Sequence, residues 1–207
     1  MDTNKQDVVE DNGVTYIECY KDTSNILKYN GIFRELVSAC SNTPCPIKDN
    51  TWARCVPNGK LNADIMFVDS YPNNFDVYGG CFTGKTGEIL HQGLNKLNRE
   101  DIYCTVLIKC NNIQDTDQNV IRTCLQHHFM KELELVNPSK ILLTESAYHA
   151  CVKYNIIHDV PNIYFFQKNV ISIVGSDMSV ELYITPDFNL ENEQSVKSLI
   201  QGLQFLL

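Results

Sequence analysis

Short apolar runs alternate with amphipathic stretches along most of this chain. Ala63–Val68 (ADIMFV) is apolar without alternation and sits between polar flanks, the pattern of a strand buried on both faces. Ile102–Lys109 (IYCTVLIK) and Lys140–Thr144 (KILLT) repeat that pattern. Gly79, Gly80, Gly84 and Gly87 punctuate a loop that enters a helix near Glu88–Leu97, and Asn119–Val136 predicts a long helix. Further on, Ala147–Lys153 reads as a short helix and Ile163–Phe166 and Val170–Val174 as short strands. Glu181–Thr185 leads into the last loop, and Glu193–Leu206 closes the chain as an amphipathic helix. Upstream, Ile26, Leu27, Ile32, Phe33, Leu36 and Val37 fall near helical spacing, predicting a helix over Asn25–Ala39 that delivers Cys40 at its end. The expected organisation is a flexible polar leader over 1–13 and one domain over 14–207. Strands alternating with helices predict a three-layer α/β/α fold with a central, mainly parallel sheet, whose functional loops leave the strand C-terminal ends.

Composition narrows the partners. The chain has 207 residues, 43% hydrophobic and 20% charged, within the range of ordinary globular proteins. No run approaches the ~18 apolar residues of a membrane span, so no membrane partner is expected. The polar, acidic start Met1–Asp7 does not read as a signal peptide, so a reducing, cytoplasmic compartment (the host cell's if viral) is expected. A net charge of −8 runs against a nucleic-acid grip, which gains from neutralising phosphates with a basic face. Bases are scattered singly (Arg34, Lys48, Arg54, Lys60, Lys85, Lys96, Arg99, Lys109, Arg122). An acidic surface suits a protein partner equally well.

The nine cysteines carry the candidate chemistry. Cys40 and Cys45 precede the first strong strand, and Cys110 and Cys124 follow a later one. Widely split thiols that a fold would gather suggest metal or iron–sulfur ligation. Cys19, Cys55, Cys81, Cys104 and Cys151 lie in apolar or mixed runs, where a free Cys is usually a small buried hydrophobe, and all nine as core thiols is the plainer alternative. His127 and His128 face different directions on the long helix and read as surface or semi-buried groups rather than ligands. Gly84-Lys85-Thr86 only imitates the end of a phosphate loop, although Lys85 and Thr86 at a helix entry would suit one DNA phosphate.

The string ADIMFVDSYPNNFDVYGGCFTGKTGEIL resembles the signature block of the iron–sulfur, family-4 uracil-DNA glycosylases: Pro72, Asp76, Gly79, Phe82, Gly84 and Gly87 stand in register with it. The likeness continues through Arg99–Tyr103, Lys109-Cys110, Cys124 and Asn137–Ile141, with Cys45-Pro46-Ile47 like the family's Cys-Pro-Leu, over roughly residues 36–190. It implies that Cys40, Cys45, Cys110 and Cys124 hold one [4Fe–4S] cluster, with a four-cysteine zinc site as the runner-up. The Cys40–Cys45 gap is wider than the family's, with Cys55 as the nearest substitute. It also implies that Phe82 is the ring on which a flipped base stacks, with a core Phe beside glycines as the equal alternative, and that Pro72, Lys85, Val106 and Lys109 line the base or the DNA.

The catalytic positions depart from the family. Its motif Glu aligns with Ser70, with Asp69 one residue away and Asp76 nearby as polar lining. Its edge-reading Asn aligns with Val106, and its late His with Thr185. Serine cannot activate water as a carboxylate does, valine has no donor or acceptor, and threonine cannot carry an imidazolium charge. The resemblance therefore implies a glycosylase fold without base excision, serving as a DNA-associated or protein-binding module in replication or repair, a viral or phage setting included. Two other readings stay open. One is an active glycosylase of altered specificity that hydrolyses the N-glycosidic bond with Asp69 or Asp76. The other is an acidic interaction module that binds no DNA.

Overall fold

The uninterrupted apolar runs become the inner strands of one sheet. The computed structural model describes residues 8–11, 14–17, 40, 44–47, 55–73, 76, 80–82, 84–96, 102–110, 117–189 and 191–204. The expected helix over 25–39 lies outside these residues. The strands in chain order are β1 (Val8–Asp11), β2 (Val14–Ile17), β3 (Ile65–Asp69), β4 (Ile102–Val106), β5 (Lys140–Thr144), β6 (Asn169–Ser172) and β7 (Ser179–Thr185). β1 and β2 pair antiparallel, so the expected polar leader holds a strand at Val8–Asp11. The other five form one sheet in the order β4-β3-β5-β7-β6. Its first four strands run parallel and β6 lies antiparallel on the β7 edge.

Alternation along each strand splits the core into two layers. Met66, Val68, Tyr103, Ile141, Leu143, Leu182 and Ile184 meet one set of helices: α2 (Gln118–Cys124), α3 (Met130–Val136) and α4 (Glu145–Lys153). Ile65, Phe67, Ile102, Cys104, Leu142 and Tyr183 meet the other, α1 (Gly84–Lys96) and α5 (Glu193–Leu203). The result is the expected three-layer α/β/α arrangement. Both faces of the inner strands are covered, which is why those strands show no polar alternation.

Two expectations change. Ile163–Phe166 is a turn and not a strand: Asn162 and Phe166 take φ of 59° and 59°, which no strand permits, and the Phe166 N–H donates to the Ile184 carbonyl at 2.8 Å. The long helix is also not uniform, because α2 and α3 are joined by a π-helical turn, Leu125–Phe129. Its buried positions are Val120, Ile121, Thr123, Cys124, Leu125, His128, Phe129, Glu132, Leu133 and Val136, and all but Thr123 follow a four-residue repeat. Four residues of α-helix turn through roughly 400°, so such a repeat drifts about 40° per step off its face. The wider π turn takes that drift back and keeps the whole stripe on the sheet. The helix then stops at Asn137, whose φ of 48° is the left-handed C-cap that asparagine tolerates, directly before Pro138.

Candidate functional site

Three parallel strands end side by side and place a carboxylate at their C-terminal edge. Asp69 is the last residue of β3, and its Oδ1 accepts from the Ser70 N–H at 2.7 Å and from the Thr144 hydroxyl at 2.8 Å. Thr144 ends β5 and caps α4, accepting from the Ala147 N–H. Ser70 is buried and donates to Ser146 Oγ at 2.8 Å, while the Ser146 N–H donates to Asp187 Oδ1 at 2.9 Å. Asp187 follows the end of β7 by two residues, so β3, β5 and β7 each contribute to one polar cluster. This is the edge where open α/β sheets bind ligands.

Burial pushes the Asp69 carboxyl up from 3.8 to about 6. The Ser70 and Thr144 donors pull it down, and the charges of Asp187 and Asp76 raise it again. A carboxylate poised near neutrality can take a proton from water. Asp76 itself is buried and tied into its own loop, accepting from the Asn73 N–H at 3.0 Å and from Asn73 Nδ2 at 2.5 Å.

The other aligned positions face inward. Thr185 is fully buried, with its hydroxyl 3.4 Å from the Leu143 carbonyl, and Val106 lies in the core layer that also holds Phe67 and Phe82. Phe82 is only 1% exposed and packs as a core ring. Its ring lies 5.3 Å from Phe67 and 5.9 Å from Phe188, and the three rings pack as an aromatic cluster. Phe82 holds a φ of 60°, and its carbonyl presses so closely on Gly87 that a Cβ there would sit 1.8 Å from the oxygen. That contact explains the glycine. Pro72 is half-buried on the loop after β3, and Lys85 lies in the first turn of α1. Arg54 and Arg99 lie outside the described residues.

Lys109 corrects the expectation of a phosphate contact. It is 1% exposed, and its Nζ lies 2.6 Å from Glu132 Oε1 on α3. It also donates to Thr105 Oγ1 at 2.5 Å and to the Val106 carbonyl at 2.6 Å, so an ion pair and two hydrogen bonds hold the ammonium inside the fold. Thr105 in turn donates to Glu132 Oε2 at 2.6 Å. Burial raises the Glu132 carboxyl above its ordinary value, and Lys109 and Thr105 pull it back part of the way. This lysine ties helix to sheet. Its ammonium is enclosed by the fold and faces away from solvent.

Cys40, Cys45, Cys110 and Cys124 are all buried and none is in a disulfide. Cys124 is pushed up to about 12, first by burial, with the nearby Cys110 and Cys40 adding to the rise against a hydrogen bond from the Lys109 backbone. Cys110, Cys124 and Cys40 are therefore close enough to feel one another. Cys40 Sγ also lies 3.0 Å from His128 Nε2, and His128 is buried whereas His127 is exposed. Among the described residues, no three or more His, Cys, Asp or Glu side chains gather as a shell for a metal ion. Thiolates ligate zinc and iron–sulfur clusters alike, so the chemistry of this buried donor set suits either group. Cys55, the possible substitute, points elsewhere, with its Sγ 2.7 Å from that of Cys81.

The sequence missed Thr144, Ser146, Asp187, Glu132 and the Cys55–Cys81 contact. The first two were signalled by polar residues directly after the KILLT strand, and Asp187 by its place just past the last strand. Nothing in the linear pattern paired Glu132 with Lys109.

The model of the uracil DNA glycosylase superfamily matches residues 56–186, more than half of the chain and the whole of the sheet. A type-4 uracil-DNA glycosylase of Saccharolobus solfataricus is 32% identical over 90 residues, 41% of this chain and 41% of that protein. One of Archaeoglobus fulgidus is 32% identical over 89 residues, 41% of this chain and 44% of its own length. The similarity thus spans less than half the length of either relative. With Asp69, Ser70 and Thr144 at strand ends inside the match and Asp187 one residue beyond it, the chain belongs to the uracil DNA glycosylase superfamily.

Proposed function

We propose that this chain is a uracil-DNA-glycosylase-fold module of DNA replication or repair that does not excise uracil. One observation carries the reading. The three positions aligned with the family's carboxylate, amide and imidazole hold Ser70, Val106 and Thr185, and each is buried and turned to a partner inside the fold. A flipped base meets no edge-reading amide at Val106 and no cation at Thr185, and Phe82 lies under Phe188 rather than open to it. Loss of one such group typically slows the chemistry about 10²–10⁴-fold. The test is abasic-site formation on single-stranded and mismatched uracil DNA, beside an active type-4 enzyme as control. No product above background is expected, and robust cleavage overturns the proposal.

The acidic balance and the internal use of Lys109 support a protein partner over a tight DNA grip. Residual DNA binding, if phosphate-led, weakens steeply with salt. We place a [4Fe–4S] cluster on Cys40, Cys45, Cys110 and Cys124 as a structural tie, with a reducing, cytoplasmic compartment to suit it. A brown protein with a broad band near ~400 nm that bleaches in Cys110→Ser supports this, and iron-free protein after anaerobic reconstitution refutes it.

One observation favours a second reading, an active glycosylase of altered specificity. Asp69, poised near neutral pH and fixed by two donors, is a competent base for water. Excision of a damaged base that disappears in Asp69→Asn would establish it.

A further inference from the structure

The sulfurs of Cys55 and Cys81 lie 2.7 Å apart, closer than two non-bonded sulfurs ordinarily approach. Both residues are buried free thiols, 26 positions apart in sequence. Each is held by its own backbone: the Cys55 N–H donates to the Lys109 carbonyl at 2.7 Å, and the Cys81 N–H to the Val56 carbonyl at 2.8 Å. Three residues on from Cys55, Asn58 bridges Cys104 on the β4 edge. Cys81 directly precedes Phe82, whose left-handed backbone abuts Gly87 at the start of α1. The two thiols therefore join the strip along β4 to the turn that sets the aromatic cluster.

We propose that Cys55 and Cys81 form a reversible disulfide, with a small hydroperoxide as the oxidant. One thiolate attacks a peroxide oxygen and becomes a sulfenic acid as water leaves. The second thiol then displaces that hydroxyl, and the sulfur–sulfur bond forms with loss of a second water. The protein gives up two electrons and two protons, and the peroxide is reduced to water. Proximity replaces a search step, because the second sulfur already touches the first. Burial makes the oxidant's access slow and raises the Cys55 thiol, so the bond forms during local opening rather than by instant attack. A small oxidant enters such a site where a bulky disulfide does not. Once formed, the bond staples the Phe82 turn to the sheet edge. This inference rests on the fold alone and stands whether or not the module excises bases.

The test uses the full-length protein with dilute hydrogen peroxide, followed by non-reducing peptide mapping and thermal melting. The expected result is a peptide linking Cys55 to Cys81 and a melting temperature about 5–10 °C above the untreated protein, reversed by dithiothreitol. Cys81→Ser and the near-isosteric Cys55→Val should each lose both the linked peptide and the rise, while Cys151→Ser keeps them. If one of the two variants fails to fold, the other decides. A rise that survives in either variant, or mapping that finds the pair as separate thiols or sulfinic acids, overturns the assignment. The same holds if only other cysteines are linked.

Discussion

Asp69→Asn should stabilise the protein at neutral pH while removing the poised carboxylate at the strand ends. Asparagine has nearly the same shape and keeps the Oδ1 acceptor for the Ser70 N–H and the Thr144 hydroxyl, so the cluster survives. What it loses is a charge that the fold disfavours. The folded pKa of about 6 exceeds the ordinary 3.8 by about two units, at about 1.4 kcal/mol each, so the ionised group costs about 3 kcal/mol above pH 6. A raised carboxyl contributes stability that is fully present below pH ~4 and fades as pH climbs through about 6. The gain from Asp69→Asn should therefore be near zero at pH 4, grow between pH 4 and 6, and level off at about 2–3 kcal/mol. Urea melts of both proteins at pH 4, 5, 6 and 7.5 read this directly, since the midpoint shifts while the slope stays fixed. Equal gains at pH 4 and 7.5, or a less stable variant at 7.5, would refute the account. The trade matters for function, because natural proteins keep a destabilising charge most often where activity uses it.

The buried ion pair gives a second expectation. Lys109→Met strands Glu132 and should cost about 3–5 kcal/mol, whereas Lys109→Met with Glu132→Met should recover most of it, both by urea melts at pH 7. Gly87→Ala drives a methyl into the Phe82 carbonyl and should cost about 1–3 kcal/mol with a weakened near-ultraviolet aromatic signal. At the helix stop, Asn137→Gly should be nearly neutral by thermal melting, and Asn137→Val should cost about 1–2 kcal/mol.

Most of the scaffold was legible because burial on two faces leaves an unmistakable run, as in ADIMFV and KILLT, and the latter's strand bounds coincide with the prediction. The edge was harder. Ile163–Phe166 has strand composition, yet Phe166 and the preceding Asn162 sit at positive φ, and the Phe166 N–H bonds the Ile184 carbonyl, which no local pattern records. The site divides along the same line. Asp69 stood out as the carboxylate beside a missing one, and its place at the end of an apolar run located it correctly. Its partner Thr144 ends a strand 75 residues away, and Ser146 and Asp187 follow the ends of β5 and β7, so only the parallel register brings the cluster together. Lys109 misled because a lone lysine near a motif looks solvated. Its acid lies one helix away, at a position that reads as surface unless the four-residue repeat is followed through.

That repeat bears on how the chain tolerates changes in length. In an ordinary α-helix, losing one residue swings everything beyond it through about 100°, so one end must leave the core. The π turn at Leu125–Phe129 stores one residue of slack. Deleting exposed Gln126 or His127 would convert it to plain α-helix and leave Cys124 and Glu132 on the faces they occupy now. A deletion within Lys131–Leu135 has no such reserve and would turn Val136 and the Asn137 cap off the sheet. Single-residue gaps in natural variants of this helix should therefore fall inside the π turn.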